Sequence, residues 1–494
     1  MKVFENNTNF TSMRKIRLLI PLLLGMALSC SKQVETIGSD LLPGDAPEVV
    51  CKGISRDVVE ISAEDAVKVA MMRGGSEKTK GAATERTVKE VKTISSEEGV
   101  ANIYAVNYAD DKGFTFVSAT KNYFPLLAEA QSGSFDDGIY ETGAAVLLDQ
   151  YNNDIEYCRT LPEDSLRRFR ALWREYEQKN EAKPKVTKDG DALAALISTS
   201  FAAWRAAGYE IYDLGGGAPE DLPQSVYDSW YSIAEGVANE DYDIDNNAFI
   251  LVGRDRTTYQ KGPLVSTQWG QGSPYNLSTA TINGVHPMLG CCAVAMGQLM
   301  KYHQYPNTSD YNWSSMPNVL SSTVTTTTPL SDFLYEVALS INTNFGVSSS
   351  SSTIANVEGA LQGTYGYSSD LDNSHNSTNV KNSIISEKPV IMRGDRTDGS
   401  SYVGHEWLCD GYKFSNVTTE YILMVISVVE PPLQFETPVN PYYAYEGGAE
   451  YYHMNWGHSP DADGWYADGL SSGDANHYYC FNRKELVNIT PGNE

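Results

Sequence analysis

Residues 289–303, LGCCAVAMGQLMKYH, restrict the fold more than overall composition does. Two adjacent cysteines open a helical pattern in which Ala293, Ala295 and Gly297 are small enough for close packing against a neighbouring element. Such a helix needs a partner. Its first turn holds Cys291 and Cys292, where unpaired backbone N–H groups and the helix dipole favour a thiolate. A buried cysteine in a helix is more often inert core than a nucleophile, and position alone does not choose between the two thiols.

The chain has 494 residues, room for several domains at roughly 100–200 residues each. With 41% hydrophobic and 20% charged residues, most of it can bury a core. A formal net charge of −26 argues against nucleic acid, because polyphosphate binding rests on clustered Lys and Arg. At the N-terminus, Arg14, Lys15 and Arg17 precede the apolar run LLIPLLLGMAL (18–28), too short to span a bilayer and laid out as a secretory signal. Ala27-Leu28-Ser29-Cys30 then resembles a lipoprotein cleavage box, which predicts lipid attachment at Cys30 and a membrane-tethered, outward-facing protein in the cell envelope. The alternative is an ordinary signal peptide with an incidental cysteine. Cys51, Cys158, Cys291, Cys292, Cys409 and Cys480 are sparse and lack CxxC spacing, so free thiols are expected, with neither metal nor cofactor.

Residues 30–50 read as a tether with Pro43 and Pro47. Within 51–150, Ser62-Ala63-Glu64-Asp65 starts a short helix, and IYAVNY (103–108) and FTFVSA (114–119) form strands around Asp110-Asp111-Lys112-Gly113, giving a small α+β unit. In 151–247, Leu166, Phe169, Leu172, Trp173 and Tyr176 have helical spacing, as do Leu193, Leu196, Phe201 and Trp204 and the stretch SVYDSWYSIAEGV (225–237). KPKVTKDG (183–190) and GGGAP (215–219) break them, so this part reads as a helical connector or insertion. From 248 to 494 Ser, Thr, Asn, Tyr and Gly dominate, and TVTTTT (323–328) and SSSSST (348–353) read as loops.

Two further stretches carry chemistry. VGHEWLCDGY (403–412) is a strand with His405, Trp407 and Cys409 on one face, and a histidine there can serve a nearby thiolate or be a satisfied core residue. YYHMNWG (451–457) is an aromatic strand with His453 and Asn455 on one side and Trp456 on the other. An Asn can fix an imidazole's orientation, and an adjacent indole can shield that bond. Gln271, upstream of the cysteines, could complete an oxyanion hole with a backbone N–H.

PLVSTQWGQGSPYN, GCCAVAMGQLMKYHQYP, YNWSSMP, GHEWLCDGY and HMNWG, in that order over 248–494, resemble the successive motifs of the streptopain-like cysteine peptidases. ISAEDAV, FTFVSAT and GSFDDG, within 51–150, resemble the family's propeptide. The resemblance implies an α+β, papain-like fold: a helical half carrying the thiol, an antiparallel sheet half carrying the histidine, and an inhibitory propeptide-like domain in front. It places the nucleophile at Cys291, the cysteine directly after glycine, and makes Cys292 a packing residue. It likewise implies His405 as general base, Gln271 in the oxyanion hole, Asn455 orienting the histidine, Trp456 beside it, and Gly404 offering backbone contacts to substrate. Two stretches depart from the pattern: a long insertion over 413–450, expected as a surface excursion, and a loop reading HSPDADG (458–464). The implied activity is a cysteine endopeptidase made as a zymogen, with protein or peptide substrates and its own propeptide as inhibitor. An idle surface protein on the same scaffold, and an amidase or transglutaminase-like enzyme with the same thiol chemistry, are the alternatives.

Overall fold

A computed structural model describes residues 53–74, 86–96, 98–135, 143–178, 201–219, 221–237, 248–398, 401–427, 434–469 and 481–492. The signal run, Cys30, the tether, Cys51, Cys480 and the breaker at 183–190 lie outside the described residues.

The N-terminal unit opens with helix α1 (Ala63–Gly74), begun where the Ser62 hydroxyl accepts the Asp65 N–H at 3.1 Å. An antiparallel meander follows: β1 (Val88–Ser95), β2 (Ala101–Tyr108), β3 (Phe114–Ser118) and β4 (Leu126–Ala130). The β2–β3 turn places Asp110, Asp111 and Gly113 at positive φ, which the sequence Asp-Asp-Lys-Gly tolerates. Val69 and Ala66 of α1 pack on one face of this meander, against Val106 and Val117.

Helices α2 (Gly143–Thr160) and α3 (Glu163–Trp173) cover the other face. Their apolar spacing was visible in the sequence, but they are not a connector. Tyr151, Ile155, Leu166 and Phe169 share one buried core with Phe116 of β3 and with Trp407, Trp456 and Tyr466 far downstream. Residue 150 accordingly falls inside a helix. Further on, β5 (Glu210–Asp213) and α4 (Gln224–Val237) are also built into the body of the protein, with Trp230 of α4 buried against the sheet.

The C-terminal region supplies β6 (Ala248–Lys261), then α5 (Cys291–His303), α6 (Pro329–Ser340) and α7 (Ile354–Gly363). After these come β7 (Tyr367–Asp372), α8 (Ser377–Ile385), β8 (Val390–Asp398), β9 (Ser401–Ser427), β10 (Gln434–Glu436), β11 (Tyr442–Asn455), β12 (Gly464–Ala467) and β13 (Phe481–Pro491). The described strands join one antiparallel sheet in the order β1-β2-β3-β4-β12-β11-β9-β8-β13-β7, with β6 and β10 also on β9 and β5 on β6. Alternation along the strands feeds two cores. Met392, Trp407, Cys409 and Val487 face α2 and α3, while Ile391, Leu408 and Leu486 face α5, α6 and α7. Gly297 lets α5 approach α6 closely, since a Cβ there would lie 2.7 Å from Leu334 of α6.

The 413–450 insertion is not a surface excursion. It lengthens β9 and β11 into a ribbon paired from Tyr442↔Tyr421 to Asn455↔Leu408, with β6 along the other edge of β9. The cause lies in Tyr-Ile-Leu-Met-Val (421–425). Tyr421, Leu423 and Val425 are buried beneath α4, and Ile422 and Met424 on the opposite face against Phe201 and Phe249. An apolar run covered on both faces is core, not loop.

Candidate active site

Gly290 leads into α5 with φ 89°, a left-handed conformation that favours glycine. Behind it, the Ser350 hydroxyl donates to the Met288 carbonyl at 2.6 Å and accepts the Gly346 N–H at 3.0 Å. The serine-rich run thus braces the cysteine turn. Cys291 starts the helix half-buried, and Cys292 is buried behind it; with Cys158 and Cys409 these are free thiols.

The Glu406 backbone N–H points at the Cys291 sulfur, 3.4 Å away. The Cys292 thiol is the largest influence on Cys291, donating to its sulfur and favouring the thiolate. Burial opposes this, and the positive field and hydrogen bond of His405, with the Glu406 N–H, restore it. The Cys291 pKa is held well below the ordinary thiol value, while that of Cys292, the donor of the pair, is pushed well above it.

His405 is buried, and its Nε2 lies 3.0 Å from the Trp456 carbonyl oxygen. A carbonyl only accepts, so Nε2 carries the proton and Nδ1 is left for the thiol. Burial lowers the imidazole pKa most, yet the Cys291 charge, its hydrogen bond and the Trp456 carbonyl outweigh it and raise the value. The ring stacks with Trp407, at 6.1 Å and 13°, and with His458, at 5.3 Å and 25°.

Asn455 takes a different part from the one expected. Its Oδ1 accepts from Gln298 Nε2 at 2.9 Å and from the Gly457 N–H at 3.2 Å, and its Nδ2 donates to the Thr267 carbonyl at 2.8 Å. The amide is fully engaged with the helical half, and the next residue's carbonyl holds the imidazole instead. Trp456 therefore acts through its backbone, while its indole is buried and donates to the Ala462 carbonyl at 3.0 Å. The Gln271 amide nitrogen lies 3.1 Å from His458 Nε2. Gly404 is exposed beside an ion pair of Arg393 and Asp395, and a Cβ there would collide with Arg393 Nη2.

Sequence reading missed four residues. Gln298, two turns beyond Cys291, accepts the Thr267 hydroxyl at 3.0 Å and the Trp269 N–H at 3.2 Å, joining α5 to the Gln271 segment and to β11. A fully buried amide in an apolar helix was its signal. Asp410 lies at a bulge where Cys409 and Gly411 pair with successive residues of β11, and it accepts from His453 at 2.6 Å and the Val265 N–H at 2.8 Å. Glu406 is buried behind the thiols, with Arg393 Nη1 3.2 Å away. Burial first, then the Cys291 charge, raise its carboxyl to about 7. His458 had no signal beyond its departure from the motif. Among the described residues, no cluster of His, Cys, Asp and Glu is placed to hold a metal.

A thiol at a helix start against a histidine on a neighbouring sheet, behind an N-terminal unit, defines a papain-like cysteine peptidase architecture. Residues 269–466 match the model of the peptidase C10 family, and residues 58–155 that of the Spi protease inhibitor. Over residues 269–466 the chain is similar to the streptopain-like cysteine peptidases. It is 29% identical over 179 residues to the thiol protease/hemagglutinin PrtT of Porphyromonas gingivalis, covering 29% of this chain and 20% of that protein. It is 23% identical over 246 residues to streptopain of Streptococcus pyogenes serotype M28, covering 40% of this chain and 52% of that protein. The chain thus spans about half or less of the curated relatives it matches. A Prevotella intermedia prointerpain A fragment superposes with a TM-score of 0.44 at 14% identity, over 83% of this chain and 100% of that one.

Proposed function

We propose that this protein is a cysteine endopeptidase made as a zymogen, with Cys291 as nucleophile and His405 as general base. The observation that carries the reading is the orientation of His405, whose Nε2 is committed to the Trp456 carbonyl while the thiol faces the remaining nitrogen. His405 Nδ1 takes the thiol proton, and the thiolate attacks the peptide carbonyl carbon. The developing oxyanion is met by the Gln271 side-chain N–H and the Cys291 backbone N–H. Collapse expels the amine, which leaves with the proton from His405. Water, deprotonated by His405, then hydrolyses the thioester and frees Cys291.

Proteins and peptides are the proposed substrates. The unit matched by the inhibitor model is the proposed intramolecular inhibitor, with cleavage in 183–190 or 238–247, both outside the described residues. Lipid attachment at Cys30, and hence anchoring at the cell envelope, is supported by the basic-then-apolar layout before it. The site assignment is tested by limited alkylation with iodoacetamide near pH 6, where ordinary thiols are protonated. Modification should map to Cys291 and disappear in Cys291→Ala. Mapping to Cys292 would overturn the assignment.

A further inference from the structure

His458 occupies a place that the chemistry above leaves without a role. Its ring stacks on His405, and its Nε2 lies 3.1 Å from Gln271 Nε2. An amide nitrogen only donates, so His458 must accept, with a lone pair on Nε2 and its own proton on Nδ1. The ring is therefore neutral. Burial, and then the neighbouring charge of His405, push its pKa down to about 4, so this form persists wherever the thiolate–imidazolium pair exists.

The loop that carries the ring is fixed on both sides. The Ser459 N–H donates to the Trp269 carbonyl at 3.1 Å, two residues before Gln271. The Asp463 carboxylate accepts the Trp456 N–H at 2.8 Å, so the same loop also steadies the carbonyl that holds His405. From the N-terminal unit, the Ser132 hydroxyl donates to the Pro460 carbonyl at 2.5 Å, and the Gln131 N–H to the Asp463 carbonyl at 3.3 Å.

We infer that His458 is a positioning residue for the oxyanion hole, accepting one N–H of the Gln271 amide so that the other is aimed at the developing oxyanion. The inference rests on the peptidase reading proposed above. Without the acceptor the Gln271 amide is free to rotate, which weakens transition-state binding and leaves substrate binding and thiolate formation largely intact.

The test uses the full chain after maturation, with His458→Phe, which keeps an aromatic face and removes the acceptor, and His458→Gln, which keeps an acceptor. His458→Phe should lower kcat by about 10- to 100-fold. KM and the rate of Cys291 alkylation should each move by less than about 3-fold, because neither depends on the oxyanion donor. His458→Gln should recover most of kcat. Equal kcat in His458→Phe and wild type, or equal losses in both variants, would overturn the inference. Should His458→Phe not fold, His458→Ala compared with His458→Gln decides the same point. A wild type that neither cleaves peptides nor alkylates at Cys291 would instead sink the peptidase reading itself.

Discussion

At the scale of single residues, the site divides into groups that face the reaction and groups that hold the two halves together. In the proposed mechanism His405 faces it, whereas Asn455 and Gln298 form a buried amide pair across the interface between β11 and α5. Replacing Asn455 by Ala strands the Gln298 amide and the Thr267 carbonyl, at a cost of roughly 1–3 kcal/mol. We expect a lowered thermal midpoint, with activity of the folded fraction within about tenfold of wild type. His405→Ala should do the reverse, abolishing turnover with little change in the midpoint. Calorimetry beside steady-state kinetics checks both. Glu406 sets a second expectation. Its carboxyl titrates near 7, and once ionised it places a negative charge behind the Cys291 sulfur, which disfavours the thiolate. Activity should therefore decline as pH rises through about 7, and Glu406→Gln should move that basic limb upward. An unmoved limb would exclude Glu406 as its source.

At the scale of elements, the signals that were legible were local ones. The cysteine helix, the strand bearing His405 and the β2–β3 turn each follow from residue spacing that a short window contains. Pairings across the chain were not. Asn455 reads as the partner of a histidine because the residue type suits that bond, and only the packing of α5 against β11 shows that Gln298 has claimed it. The 413–450 ribbon was misread because its prolines and its length suggest a loop, although Tyr-Ile-Leu-Met-Val (421–425) within it carries the two-sided burial of a central strand. Gly290 gives an element-scale test. Its φ of 89° is strained for any residue with a Cβ, so Gly290→Ala should twist the first turn of α5. Alkylation of Cys291 should slow in that variant while the far-UV circular dichroism is kept. Unchanged alkylation would mean that the turn does not set the thiol.

At the scale of the whole molecule, the strands of the N-terminal unit and of the C-terminal region form one sheet. β4 pairs with β12 from Gly464↔Ala130 to Tyr466↔Ala128, the Tyr151 hydroxyl donates to the Ala467 carbonyl at 2.6 Å, and Arg56 pairs with Glu210 at 2.8 Å. Removing β4 would bare the edge of β12 and open the core that Phe116 shares with Trp456. A single cut in 179–200 should thus leave the pieces associated. They should co-elute in gel filtration and separate only in mild denaturant, and immediate separation would contradict this picture of the interface. The central claim is peptide hydrolysis through Cys291, and it is met most directly by end-group analysis of a denatured protein incubated with matured wild type beside Cys291→Ala. The account predicts new N-termini with the wild type and none with Cys291→Ala. Cleavage that persists without Cys291, or ammonia release with no new N-termini, would contradict it.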